Sequence, residues 1–523
     1  MLLDLNITEA GKQTVSADVA VIGAGLAGLL LATQLAQTGL RVVVLESGAR
    51  TQEEDRHALN EVVQAAQIYG GAEDGRFRCL GGTSTRWGGA MLPFESADLT
   101  AHPPGWDVDW PLQLQELSAY FDRVERLFAL PEGSYRSECN PDLAEARPGF
   151  QIRSAKWPAF RMRNVTHVLR DLLAGDAGPE IWLNATATEF ELDGAGTVQS
   201  VSAVSPGGRK LTVSTRCVAI TAGAIESTRL LLLLDRRQAG RVFGESGPLG
   251  RYFNDHLSAE CCRLQPHDRN AFIAMFGLRF VSGGMRDSRI EPTEALRRRL
   301  GIPGGFAHVT VESIGADGFT ALREIYRAAQ RKSMPRLSSL GSLIANGDWL
   351  AQAAYWRFAK GRLLPPRDAV PRLMLVIEQM PHADNRITLS PERRDLLGLP
   401  MATIDWRIRP SDVEGFRTLQ DALVEFWSSA GFDSLASASP SPFEVWRAQM
   451  EEGGVVYHPA GSTRMGRSPA NAVLDKDLRT FAISNLYVVS TSAFPSGGSA
   501  NPSFMLLAFA LRAADRIAQQ LRK

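Results

Sequence analysis

The sequence predicts an α/β chain, α+β overall, in which a domain on a parallel sheet is interleaved with a second domain built on an antiparallel sheet. Three observations carry this reading. A complete strand–turn–helix–strand unit occupies residues 18–46, the same grammar returns at residues 217–229, and strand-like runs mark the stretch between residues 260 and 455. Parallel-sheet patterning that returns so late makes the first domain discontinuous, with the segments between forming something else.

In the first unit, Asp18-Val-Ala-Val-Ile22 is rich in β-branched residues and bounded by glycine, as a buried strand would be. Gly23-Ala-Gly25-Leu-Ala-Gly28 follows, Leu29 to Thr38 continues as a helix closed by Gly39, and Arg41 to Leu45 forms a second buried strand ending in Glu46. Each glycine has a physical reason. Gly23 makes the tight turn, Gly25 lets backbone approach a pyrophosphate, and Gly28 lets helix and strand pack closely. The helix N-terminus offers partial positive charge to phosphates, and Glu46, 18 positions beyond Gly28, is suited to hold ribose hydroxyls. This is a Rossmann-type dinucleotide site open to NAD or FAD; NADP fits least, because Glu46 would repel its 2′-phosphate.

Leu80-Gly-Gly-Thr-Ser-Thr-Arg-Trp-Gly-Gly-Ala90 sets four glycines and three hydroxyls around Arg86 and Trp87. Backbone there can run close against a flat ligand with its amides free to donate, and the indole gains a surface to stack on. Gly105-Trp-Asp-Val-Asp-Trp-Pro111 leads into residues 114–130, where Leu117, Tyr120, Phe121, Val124 and Phe128 predict one amphipathic packing helix. Alternating apolar runs from Ile181 to Ile220 predict strands, and Cys217 to Arg229 repeats strand, glycine turn at Ala222-Gly223, and helix.

Gly247 to Leu257 closes that block. Asp255 and His256 are neighbours on opposite faces of an extended segment, with no third ligand nearby in sequence, so a structural role is expected of them. Arg372 to Met380 and Arg386 to Leu389 predict antiparallel strands. A helical insertion over about residues 319–372 carries ten Lys or Arg against three acids, together with Tyr326, Trp349, Tyr355, Trp356 and Phe358. A solvated helical face is one reading of it; a lid, a docking surface for an acidic partner and a membrane-grazing element are others.

At 523 residues the chain predicts two or three domains or one large interleaved pair. Its 57 basic and 57 acidic side chains create no global field that would gather nucleic acid or an anionic membrane. Five cysteines, none in C-x-x-C spacing, argue against a metal cluster and against a disulfide framework. No apolar run approaches the ~18 residues of a membrane span, and Asp4 and Glu9 ahead of the first apolar run are unlike a secretory signal. A soluble, cytoplasmic chain without a transmembrane segment, a nucleic-acid partner or a metal is expected.

Late in the chain, His458-Pro-Ala-Gly-Ser-Thr-Arg-Met-Gly466 is followed 35 residues on by Asn501-Pro502. Taken with Gly23 to Gly28 and Glu46, Gly81-Gly82-Thr83-Ser84 with Trp87, Gly250 to His256, and Asn485 to Pro502, this resembles the glucose-methanol-choline (GMC) family of flavin oxidoreductases. The motifs occur in family order across residues 17–520.

The resemblance implies FAD and oxidation of a CH–OH group to a carbonyl by hydride transfer to flavin N5. It implies an FAD-binding domain from residues 15–100, 180–260 and 455–523, and a substrate domain from residues 101–179 and 261–454. His458 corresponds to the catalytic histidine and Asn501 to the second active-site residue. Gly23, Gly25, Gly28, Glu46, Gly82, Thr83, Ser84, Arg86, Trp87, Ala187, Ala222, Gly223, Asn501 and Pro502 are expected at the cofactor. Trp106 to Pro111, Gly461 to Gly466 and residues 81–87 are closest to bacterial sugar dehydrogenases and pyranose oxidases, which implies a sugar, glycoside or polyol substrate.

Arg86 stands where fungal pyranose oxidases place a flavin-bonding histidine, so FAD is expected to be non-covalent. The cysteine cluster of some sugar dehydrogenases is absent, and Ser490 replaces an aspartate common in the family. The electron acceptor stays open between oxygen and a separate carrier. A sterol or fatty alcohol as substrate and a redox-silent lyase are the alternative readings. The polar Ser496-Gly-Gly-Ser499 loop beside Asn501 suits a hydroxylated ligand.

The chemistry explains the two residues without the family. As hydride leaves a carbinol carbon the hydroxyl proton must leave too, and it is too weakly acidic to go unaided. A neutral imidazole in hydrogen-bond reach takes it, a gain of roughly a hundred- to ten-thousand-fold. Asn501 would donate to the same oxygen and fix its approach.

Overall fold

Apolar alternation and β-branching set the strands of two large sheets and one small one. The structure, a computed structural model, describes residues 1–8, 12–136, 149–244, 246–312 and 337–522, with residues 320–322, 324–325, 328 and 334 between. The first sheet runs in the order Leu2–Asp4, Glu180–Leu183, Val42–Leu45, Lys12–Ile22, Lys210–Ile220, Val198–Val204 and Thr186–Leu192. The first five strands are parallel and the last two antiparallel. Val42–Leu45 is buried throughout, as a strand covered on both faces must be.

The strand Lys210–Ile220 forks. Its first half pairs with Val198–Val204, Ser214 lying opposite Ser200, while Val218 to Ile220 pair with the late strand Leu486–Val488. Three distant parts of the chain thus meet in one sheet, and the α/β reading of the sequence holds. Two helices, Leu26–Gln37 and Ser503–Arg522, pack on one another, and Leu29 and Leu30 of the first and Leu507 and Leu511 of the second are fully buried. Gly28 makes the first of these helices possible. A Cβ there would fall against the carbonyl oxygen of Gly23 and the hydroxyl of Thr221.

The second sheet is antiparallel, in the order Arg279–Val281, Gly284–Pro292, Gly305–Glu312, Val370–Glu378, His256–Pro266 and Ala436–Pro440, with Phe150–Trp157 also on Gly284–Pro292. Its two faces differ. Ala307, Leu373, Leu375 and Ile377 share a core with the helices Pro410–Ser429 and Phe443–Glu451, where the rings of Phe416 and Trp446 stack 4.6 Å apart. The alternate residues Phe306, His308 and Val376 face a large cavity.

Three expectations change. Residues 114–130 form two short helices, Gln115–Ser118 and Phe121–Leu127. At the break the Tyr120 hydroxyl donates to Asp515 at 3.1 Å while Phe121 meets Phe504 edge-on at 5.1 Å, so packing against the last helix overrides one continuous helix. Arg386–Arg394 belongs to a separate three-stranded sheet with Pro400–Asp405 and Val63–Gln64. Arg372 sits in the strand Val370–Glu378, so the insertion ends before it; its longer described helices are Leu337–Ala345 and Gly347–Ala359, and Tyr326 lies outside the described residues. Among the described residues no helix is long and apolar enough to cross a membrane.

Gly28→Ala is expected to destabilise the protein by about 1–3 kcal/mol, the cost of overpacking a site that cannot yield. A shift of the chemical-denaturation midpoint measures it, and a wild-type midpoint would contradict the packing role.

Candidate functional site

Three helix N-termini, at Leu26, Ala224 and Ser503, open onto one cleft at the edge of the parallel sheet. Their unpaired amides give it a positive potential suited to phosphates. Gly23, Gly25, Glu46, Gly82, Thr83, Ser84, Trp87, Ala187, Ala222, Gly223 and Pro502 line this cleft. Gly28 stands behind it as a packing glycine, and Arg86 and Asn501 line the neighbouring cavity instead. That cavity encloses about 1180 Å³ against the polar face of the antiparallel sheet. His458, Trp87, Thr83 and Ser503 border both spaces, which therefore meet at His458.

The two glycine loops hold one another. Gly81 N donates to the Ala24 carbonyl at 2.9 Å, and a Cβ on Gly82 would lie 3.0 Å from Cα of Gly25. Ser84 spends its hydroxyl inside the fold, donating to Gly81 O at 2.6 Å and accepting from Val165 N at 3.1 Å. Trp87 donates its indole N–H to Arg163 O at 2.7 Å, which fixes the ring as a wall. The Glu46 carboxylate accepts from Ala24 N and Gly48 N, each at 2.8 Å, and burial raises its pKa. The Ser496–Ser499 loop departs from expectation. Ser496 accepts from the Trp110 indole at 3.0 Å and Ser499 N donates to Asp98 at 2.9 Å, so the loop serves the interior and does not line the large cavity.

At the junction, Asn501 Nδ2 lies 3.0 Å from His458 Nε2. The other ring nitrogen, His458 Nδ1, lies 3.3 Å from His256 Nδ1, with the two rings edge-to-face. His256 Nε2 contacts the Gly498 carbonyl oxygen at 2.6 Å. A carbonyl only accepts, so His256 carries its proton on Nε2 and presents a bare Nδ1. His458 must then donate from Nδ1, and the electron pair on its Nε2 accepts from Asn501 Nδ2. Burial above all, then His256 and the charge of Arg289, hold the His458 pKa well below the ordinary value. The ring is neutral, and its basic nitrogen faces Asn501.

Asp255 fixes the backbone of the same residue. Its two oxygens accept from His458 N at 2.9 and 3.0 Å, from His256 N at 2.6 Å and from the Tyr69 hydroxyl at 2.6 Å. Tyr457, just before the histidine, holds a φ of 60°, a left-handed conformation costing a side-chain-bearing residue about 1–2 kcal/mol; these hydrogen bonds offset it. Asp255, His256 and His458 offer atoms within 4.8 Å of one another, a spacing a metal would accept. The same atoms already make the hydrogen bonds just described.

Residues 18–299 match the FAD dependent oxidoreductase family and residues 381–510 match the GMC oxidoreductase family. The chain belongs to the GMC oxidoreductases. This GMC chain is 22% identical to a 2-methyl-1,2-propanediol dehydrogenase of Mycolicibacterium austroafricanum, over 98% of the chain and 97% of that protein. It is 22% identical to the fructose dehydrogenase large subunit of Gluconobacter japonicus, over 98% and 99%. With the paromamine 6'-oxidase of Streptomyces fradiae it shares 25% identity over 96% and 92%. A formate oxidase from Aspergillus oryzae shares the fold at a TM-score of 0.55 and 15% identity, over 98% of the chain and 99% of that structure.

FAD is the cofactor of this family, and the cleft fits it. Open space lies where a Cβ on Gly25 would stand, and phosphates there meet the three helix ends. Sequence reasoning missed His256, set aside with Asp255 as structural. Both act on His458 from 202 or more positions away, and no local pattern signals such a contact. Arg289, Asp287 and His308 on the cavity wall also escaped notice, since strand alternation alone does not say which face is enclosed.

Nitrogen-15 histidine NMR at neutral pH is expected to find His458 neutral with its proton on Nδ1. The signal should not titrate as the pH falls through 6.5, the ordinary histidine value. A midpoint near that value, or a proton on Nε2, would contradict the assignment.

Proposed function

We propose that this GMC chain oxidises a CH–OH group of a sugar, glycoside or polyol to a carbonyl, with His458 as base and Asn501 as orienting donor. The observation that carries the proposal is the 3.0 Å approach of His458 Nε2 to Asn501 Nδ2, where the cleft and the cavity meet. One oxygen placed against both can give its proton to the ring and accept a hydrogen bond from the amide. With Nδ1–H committed to His256, the basic pair of His458 is on Nε2; Asn501 donates to it in the structure, and a substrate oxygen between the two takes over both hydrogen bonds. Asn501 Oδ1 is buried without a hydrogen-bond partner among the described residues, leaving it an acceptor for a second substrate hydrogen. FAD, when bound, supplies the hydride acceptor.

The relatives named above include diol, fructose and aminoglycoside-type enzymes, which supports a hydroxyl-rich substrate. Non-covalent FAD is supported by residues 81–90, which contain no His, Cys or Tyr for a bond to flavin. We also propose the interleaved division into an FAD domain and a substrate domain at the boundaries expected from the sequence. One observation favours a second reading, a sterol or fatty alcohol: Phe272, Ile273, Phe276 and Leu363 make one side of the cavity apolar.

His458→Ala is expected to retain FAD and to lose roughly a hundred- to ten-thousand-fold in anaerobic flavin reduction by substrate. Stopped-flow bleaching of the flavin measures it, and unchanged kinetics would reject His458 as base. The same bleaching across sugars, glycosides, polyols and long-chain alcohols tests the substrate class. Bleaching by apolar alcohols alone would select the second reading.

A further inference from the structure

Four arginines lie buried around the antiparallel sheet, and three of them have firm partners. Arg153 pairs with Glu291 at 3.1 Å, Arg297 pairs with Asp98 at 3.2 Å, and Arg286 donates to the carbonyl oxygens of Ser134 and Glu132. The fourth, Arg289, is 3% exposed, and its Nε and Nη1 have no hydrogen-bond partner among the described residues. Its guanidinium lies over the Phe306 ring, 4.0 Å from the centroid, on the wall of the large cavity. Two positions earlier, and therefore on the same face of the strand Gly284–Pro292, Asp287 lines that wall too. Its nearest ionisable contact is His308 Nδ1, 3.9 Å from Oδ2 and beyond hydrogen-bond reach.

A buried guanidinium and a buried carboxylate without close partners are costly when the cavity is dry. The cost is recovered if a ligand brings the missing acceptor and donor. We propose that Arg289 and Asp287 form a hydroxyl-reading subsite, the guanidinium donating to and the carboxylate accepting from neighbouring hydroxyls of a neutral polyhydroxylated substrate. This rests on the reading of His458 and Asn501 as the reacting pair and specifies what holds the far end of the substrate.

The chemistry favours a neutral ligand over an anion. Asp287 would repel a carboxylate or phosphate directed at Arg289. Burial raises the Asp287 carboxyl to about 6, so it is still an acceptor at neutral pH, while burial and Arg289 push His308 down to about 3 and keep it uncharged. Arg289 and Asp287 line the same cavity as His458 and Asn501.

Binding and turnover are tested separately on the FAD-loaded protein. In a His458→Ala background, where flavin reduction is expected to be slow, affinity for D-glucose, D-sorbitol and D-glucuronate is read from the flavin absorbance change. Asp287→Asn and Arg289→Lys are each expected to weaken binding of the neutral compounds about tenfold or more. In the protein with His458 intact, each should lower the ratio of kcat/KM for the sugar to that for 1-butanol by about the same factor. FAD content and melting temperature show that each variant is folded, and Arg289→Lys keeps the charge should Asp287→Asn fold poorly.

Equal losses on sugar and butanol would overturn the subsite, as would no binding by either neutral compound. Glucuronate binding more tightly than glucose, and more tightly still in Asp287→Asn, would overturn it in favour of an anion site. If His458 is not the base, turnover survives in the His458→Ala protein, while the effects of Asp287 and Arg289 on binding remain readable.

Discussion

One carbonyl oxygen, that of Gly498, governs the chemistry of the site. By accepting from His256 Nε2 at 2.6 Å it decides where that imidazole carries its proton, and through the 3.3 Å contact it decides the same for His458. The carbonyl is itself held. Gly498 N donates to Glu378 at 2.6 Å, Gly304 N donates to the other oxygen of that carboxylate at 2.9 Å, and Gly498 takes a φ of 72° against the Phe94 ring. A side chain there would collide with Phe94 as well as strain the backbone. The proton position on His458 is thus set by a relay of fixed donors and acceptors, with no need of a carboxylate touching its ring.

The two sheets supply opposite halves of this arrangement. The parallel sheet presents helix ends and glycine turns to a phosphate-bearing ligand. The antiparallel sheet presents a polar face, with His256 at one strand's start and Arg289 and His308 on the strands beyond. His458 and Asn501 arrive on the return of the chain and stand where the two spaces join. A hydroxylated molecule in the cavity is thereby brought to the edge of a flat one in the cleft.

The fold and the cofactor loops were legible because their signals are local. Gly23, Gly25, Gly28 and Glu46 report a conformation that the adjacent residues fix, and the turn at Ala222-Gly223 repeats it. His458 and Asn501 were singled out through resemblance, since a lone histidine and an Asn-Pro turn carry little alone, and the structure brings the two side chains together. The contacts of Asp255 and His256 were not legible, because the sequence sets the two only beside each other. The structure sets each against a different part of a third residue, one on the backbone of His458 and the other on its ring. The single helix expected over residues 114–130 failed for a similar reason: its apolar spacing is sound, but Asp515 and Phe504 reward a break at Tyr120.

The forked strand also bears on how the molecule is made. Lys210–Ile220 takes its last parallel neighbour from residues 486–488, and the cleft takes one of its three helix ends from Ser503. A nascent chain on the ribosome therefore exposes an unfinished sheet edge through most of its translation, and pairing so distant in sequence is slow to form. The cleft is complete only once residues 486–503 have joined the sheet, which ties the yield of active protein to protection of that edge in the interval.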